Sequence, residues 1–149
     1  MLGILTLAAC QPEDTNATLE VGELIIKKSD GGQEAFQVEI ADTPQKLSQG
    51  LMFRESMEAD TGMLFIMPAT GFQSFWMKNT LIPLDMLFIN NQGVLGHIHH
   101  NAIPNDLTMI PSQVPTKYIL EINGGQASAR GIEVGDQVFH KKIKRTLAE

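Results

Sequence analysis

The chain has 149 residues, 43% of them hydrophobic and 19% charged, with a single cysteine and a net charge of −6. One domain of this length hides roughly two-thirds of the surface that its unfolded form exposes, so it can build a core without disulfide or metal staples. The acidic excess argues against a partner held mainly through phosphates, and nucleic acid is not an expected partner.

Met1 to Ala9 (MLGILTLAA) carry no charge and run into Cys10, after which Gln11 to Thr18 are polar. Leu7-Ala8-Ala9-Cys10 resembles the lipobox of bacterial lipoproteins, where the signal peptide is cut before a cysteine that carries a diacylglycerol. Small residues before the cysteine let the peptidase reach the backbone, and acyl chains at about 0.8 kcal/mol per buried methylene hold the product in a bilayer. The resemblance implies an exported chain on the periplasmic side of the envelope, bound to the membrane through Cys10. Gln11, not being Asp, points to outer-membrane sorting. The alternative is an apolar first strand with Cys10 in the core. On the lipoprotein reading, residues 1–9 are a signal remnant, 10–18 a polar tether reaching roughly 15 to 20 Å, and 19–149 a single β-sandwich domain. No later run approaches the roughly 18 apolar residues of a membrane span.

From Leu19 onward, short apolar runs alternate with turn residues about every ten positions, the rhythm of an all-β domain. Leu24 to Lys28 and Ala35 to Ile40 flank Asp30-Gly31-Gly32, which predicts a hairpin with one wet face, since Phe36, Val38 and Ile40 alternate with Gln37 and Glu39. Thr43 and Pro44 read as the N-cap and first residue of a short helix that stops at Gly50. Gly62 to Met67 and Asp85 to Ile89 are apolar on both faces, as central strands are. Asn90 to Gly93 predicts a second hairpin, leading into Val94 to His100. Asn101 to Pro115 reads as an irregular connection, Lys117 to Ile122 as a strand, Gly125 to Arg130 as a short helix closed by Gly131, and Gln137 to Lys144 as a last strand. The expected fold is mainly β: a compact sandwich or jelly-roll-like domain of about eight strands with two short helices. The basic end, Lys141, Lys142, Lys144 and Arg145, is expected to guard a final edge strand by charge, with contact to anionic headgroups as the alternative.

The densest polar information lies in Phe75 to Asp85 (FWMKNTLIPLD). In an extended segment Trp76, Lys78 and Thr80 face one way and Met77 and Asn79 the other. If the chain doubles back across Leu81 and Ile82, Lys78 comes opposite Asp85 as a semi-buried salt bridge. Together with Gly50-Leu51-Met52-Phe53-Arg54, Gly62-Met63-Leu64-Phe65, Leu120-Glu121 and Gly131-Ile132 to Gly135-Asp136, this stretch resembles the motif set of the bacterial and archaeal family called domain of unknown function 192. The resemblance covers roughly Leu19 to Ile143. It implies a compact β-sandwich, often exported, with no established activity, whose characteristic polar positions fall here on Arg54, Lys78, Asn79, Asp85 and Glu121.

These five residues, with Trp76, form either a closed internal network or a cleft that offers Arg54 and Lys78 to an anionic group while Asp85 and Glu121 orient it. The expected function is a non-catalytic envelope module that binds a small polar or anionic ligand, or a protein partner, at this cluster. Asp85 and Glu121 could alternatively act as a hydrolytic carboxylate pair. His97 and His99, two apart on a predicted strand, share a face with Cα atoms roughly 6.5 Å apart and are weak metal candidates, whereas His100 points away. A third alternative is a purely structural interaction module. Met52, Met57, Met63, Met67, Met77 and Met86 sit among Leu, Phe and Ile, where thioethers fill cores rather than bind copper. No GxSxG, Walker, dinucleotide, CxxC or HExxH pattern occurs, and no cofactor is expected.

Overall fold

The computed structural model describes residues 19–145. Cys10, the lipobox-like run and the tether lie outside the described residues. Nine strands and two short helices follow one another as β1 (Val21–Lys27), β2 (Gln33–Ala41), α1 (Pro44–Gln49), β3 (Thr61–Gly71), β4 (Ser74–Phe75), β5 (Leu84–Ile89), β6 (Leu95–Ala102), β7 (Ile110–Pro111), β8 (Thr116–Asn123), α2 (Gln126–Ala129) and β9 (Gln137–Phe139). The fold is mainly β, as the spacing of apolar runs predicts. Seven strands form one sheet in the order β6-β5-β8-β3-β2-β1-β9, and β4 pairs with β7 as a separate ribbon. The sheet curls until its two ends touch. Val94 bridges Gln137, and the Val138 N–H donates to the Gly93 carbonyl at 2.8 Å.

Local chemistry accounts for most of the elements. β1 and β2 pair antiparallel from Val21/Glu39 to Lys27/Gln33 across the glycine turn. The Thr43 hydroxyl accepts the Lys46 N–H at 3.3 Å, Pro44 opens α1, and the Gly50 N–H closes it on the Lys46 carbonyl at 2.9 Å. Asn90 holds the β5–β6 turn through its side-chain oxygen, which accepts from Gln92 and Val94 at 2.9 and 3.0 Å. Pairing of β2 with β3 is parallel, so α1 and the loop after it carry the chain back along the sheet. Gly62 is required where β3 meets β8, because a Cβ there would lie 2.5 Å from the Glu121 carbonyl oxygen.

Both faces of the central strands are covered. Leu64, Leu87, Ile89, Leu120 and Ile122 join one apolar cluster with α2 residue Ala127, while Met63, Phe65, Met86, Phe88 and Ile119 point the other way into a second. That alternation is the strand period of two, and it explains why every residue of β5 is buried. The β4–β7 ribbon packs over the second cluster, where Phe75 meets Phe65 edge-on at 5.8 Å and Phe88 at 6.1 Å.

Two expectations need correction. The last strand ends at Phe139 rather than Lys144. Of the basic residues after it, Lys141 and Lys142 pair with Glu20 at 2.6 and 2.8 Å and Lys142 with Asp42 at 3.0 Å, while Arg145 covers β9, donating to the Val138 carbonyl at 2.7 Å with its guanidinium 3.8 Å from the Phe139 ring. In the segment 101–115, residues 110 and 111 form β7 opposite β4, a pairing too short to leave a pattern in sequence.

Candidate functional site

The segment after β4 does not run extended. Asn79 takes φ 53°, and the Thr80 N–H closes a turn on the Met77 carbonyl at 3.1 Å. Met77 is thereby buried, while Trp76 and Lys78 remain outside on a shared surface, with the Lys78 ammonium 5.2 Å from the Trp76 ring centroid. The Asn79 carbonyl receives the Phe53 N–H at 2.8 Å, which brings the 51–54 turn against the same loop. Phe53 itself sits at φ 64°, a left-handed conformation that a bulky L-residue rarely adopts, and its ring is exposed.

Between the ribbon, this loop, α1 and the sheet lies a groove of about 850 Å3. Its walls carry Leu51, Phe65, Met67 and Phe75; its mouth carries Phe53, Trp76, Lys78 and Asn79; Glu121 contributes to it from β8. The size falls within the range of small-molecule sites. Glu121 stands opposite Met63 on one side and Met86 on the other in the strand registers. It is 5% exposed and its side chain opens on the groove, with burial as the only influence on its titration. Burial raises its pKa to about 8, so the group is mainly protonated at neutral pH.

Asp85 is the opposite case. It lies on β5 one register step from Met86, the neighbour of Glu121, and so points to the other face of the sheet. Its carboxylate is wholly buried and accepts the backbone N–H groups of Asn101, Gly125 and Ala127 at 2.8, 3.0 and 2.9 Å. These bonds tie the end of β6 and the start of α2 to β5. The Lys78–Asp85 salt bridge expected from sequence does not form, because three backbone donors occupy the carboxylate on the far face.

Arg54 is also elsewhere. It pairs with Glu39 at a second, smaller groove of about 290 Å3 lined by Gln37, Met57 and Thr61. Of the six predicted site residues, Trp76, Lys78, Asn79 and Glu121 are brought together, while Arg54 and Asp85 are not. Asp85 and Glu121 consequently share no cleft in which to act as a carboxylate pair. His97 and His99 do lie on one face of β6, with His97 stacked on Phe88 at 5.7 Å. Burial first, then the charges of His99 and His100, lower the pKa of His97. No three His, Cys, Asp or Glu side chains among the described residues gather where a metal could be held. The groove walls from α1 and from Phe65 and Phe75 escaped sequence reading, since they meet only through the ribbon.

The architecture is that of a curled-sheet β domain with one face roofed by a short ribbon and open as a groove beside it. The chain belongs to the DUF192 family, described as Uncharacterized ACR, whose model matches residues 25–140. No curated protein matches it. A crystal structure from Sinorhizobium meliloti, described as a candidate transcription regulator, is 37% identical with a TM-score of 0.81, over 83% of this chain and 95% of that one. A protein of unknown function from Novosphingobium aromaticivorans is 34% identical with a TM-score of 0.80, over 93% of this chain and 100% of its own.

The contrast between the two carboxyls makes two predictions. Asp85→Ala orphans the buried N–H of Ala127 and two part-buried ones, and should lower stability in urea unfolding by about 3 kcal/mol. Glu121 has a folded pKa above its unfolded value, so the folded state binds the extra proton between pH 4.5 and about 8. Stability should therefore fall as pH rises through that window, by up to about 1.4 kcal/mol per pH unit, and level off above it. Glu121→Gln should remove this slope, which paired urea titrations of the two proteins at several pH values would read directly.

Proposed function

We propose that the domain is a binding module whose groove takes an amphiphilic molecule, with an apolar body along Leu51, Phe65 and Phe75 and a cationic or hydrogen-bond-donating head at Glu121. One observation carries this reading: a carboxyl 5% exposed, with burial raising its pKa, opens into a groove where Leu51, Met52, Phe65, Met67 and Phe75 form an apolar side and Gln45, Ser48, Gln49, Ser74 and Asn79 a polar one. Such a group is a burden to the fold, and a methionine like its neighbours would fit the sheet better. The structural-module alternative suits Asp85, which is fully satisfied, but gives Glu121 no role. An anionic ligand is less favoured than the motif suggests, because Arg54 is committed to Glu39 and Lys78 is the groove's only cation among the described residues.

An ammonium head would displace the proton of Glu121 and leave a neutral ion pair in the groove. Octylamine binding should release a proton and tighten as pH rises toward 8. The transcription-regulator description of the Sinorhizobium protein is not carried over, since a net charge of −6 offers phosphates little attraction. The lipobox-like run ending at Cys10 supports an exported address, on a lipid anchor at the periplasmic side of the outer membrane.

Calorimetric titration with octylamine and with octanoate tests the groove. Octylamine should bind more tightly than octanoate, and Glu121→Gln should weaken it by about tenfold or more. Equal octylamine affinity in wild type and variant, or no binding to either, would sink the proposal. For the address, labelled palmitate should enter the wild-type chain in bacterial cells and be absent from Cys10→Ser; an unlabelled wild type refutes the anchor.

A further inference from the structure

Nine large hydrophobic side chains among the described residues are exposed, and seven of them belong to three segments that hydrogen-bond to one another beside the groove. Phe53 stands on the 51–54 turn. Phe72, Trp76 and Leu81 stand on the chain around β4, and Ile103, Leu107 and Met109 on the chain before β7. The Met77 N–H donates to the Asp106 carbonyl at 2.9 Å, the Asn105 N–H to the Thr80 carbonyl at 3.0 Å and the Ser112 N–H to the Gln73 carbonyl at 2.9 Å, so the last two segments form one flap. Phe53 is joined to that flap through Asn79. Phe72 and Leu107 are 74% and 62% exposed and take no part in lining the groove, so the ligand reading leaves them without a role.

The chain that carries both flap segments, with the strands β3, β5 and β6 around them, is poor in charge. From Thr61 to Thr116 the only Lys, Arg, Asp or Glu residues are Lys78, Asp85 and Asp106, against 28 such residues in the chain. Asp85 is buried, which leaves one cation and one anion on the flap. Glu55 lies at its border, and Arg54 beside Phe53 is neutralised by Glu39. Trp76 with the Lys78 ammonium over its ring is the pairing of an amphipathic ring and a long cation that suits the headgroup level of a bilayer. Phe72, Trp76, Leu81, Ile103, Leu107 and Met109 all stand outside the strands, on turns and connections. The chain also enters the domain on this face, because Leu19 packs against the cluster beneath the groove.

We infer that this flap is a membrane-docking surface, on which Phe72, Trp76, Leu81, Ile103, Leu107 and Met109 enter the interfacial layer of a bilayer and turn the mouth of the groove toward lipid. The interaction is apolar and needs no anionic lipid. It goes beyond the groove reading, and it is independent of acylation at Cys10, which would only hold the flap close to the surface it enters.

Trp76 is the only tryptophan of the chain and reports on the flap directly. The full chain carrying Cys10→Ser, which cannot be acylated, is mixed with vesicles of phosphatidylcholine alone at low and high salt. Trp76 emission should move to shorter wavelength, be quenched by brominated phosphatidylcholine, and respond equally at both salt concentrations. Adding Phe72→Ser and Leu107→Ser, both far from the core, should weaken vesicle binding by about tenfold or more while the melting midpoint stays unchanged. An unshifted Trp76 overturns the inference. So does a shift that survives the double substitution, which would mean lipid entering the groove alone. Sedimentation with vesicles while Trp76 stays unshifted would assign the contact to the apolar N-terminal run. Binding confined to phosphatidylglycerol vesicles and abolished by salt would assign it to the basic residues after β9, and a soluble protein that protects Trp76 where vesicles do not would make the flap a protein interface.

Discussion

The fold hangs on the carboxylate of Asp85. It is wholly buried on a central strand, yet it stands as a proper capping group because three backbone N–H groups converge on it from the end of β6 and the start of α2. Ala127, whose N–H it receives, belongs to the cluster inside the curl, so the same contact that satisfies the charge seats the helix over the sheet. A carboxyl in this position is tolerated because it is hydrogen-bonded, to one donor at the end of β6 and two at the start of α2. Loss of that one group would leave the N-terminus of α2 and the end of β6 with no common tie.

One register step away, Glu121 has the opposite surroundings. Strand alternation sends Asp85 and Glu121 to opposite faces of the same sheet, the first toward a ring of amides and the second toward Met63, Met86 and the groove. Two chemically similar residues therefore end up tied to three backbone N–H groups on one face, and raised in pKa by burial beside a groove on the other. Phe75 packs on Phe65 and Phe88, and the turn at Asn79 lifts Trp76 and Lys78 clear of the sheet, leaving open space between them and α1.

Much of the architecture was legible because it is local. The Thr43 cap, the Pro44 start, the glycine turn before β2 and the Asn90 turn are each specified by a few neighbouring residues. The same is true of the double-sided burial of β3 and β5, which needs only an unbroken apolar run. The site was legible in part. Trp76 and Lys78 share a surface as their spacing suggests, but through a turn at Asn79 rather than through an extended strand. Arg54 sits close to Phe53 in sequence and nevertheless serves a different groove, because Glu39 on β2 captures its guanidinium. The apolar flap gave a faint signal, a long charge-poor stretch, whose meaning depends on which of its apolar residues are exposed.

The sequence by itself determined that the chain is mainly β with two short helices, the first capped by Thr43, and a cluster of polar residues in an apolar setting. Turn chemistry, capping and the two-residue strand period act over a handful of positions and leave their mark on the order of residues. Tertiary structure alone decided which polar residues meet. Whether Asp85 pairs with Lys78 or with backbone amides, and whether Glu121 finds a partner or a groove, turns on strand register and on the pairing of the short ribbon. A shift of one residue in register reverses the face to which every side chain points, and no local pattern records that choice.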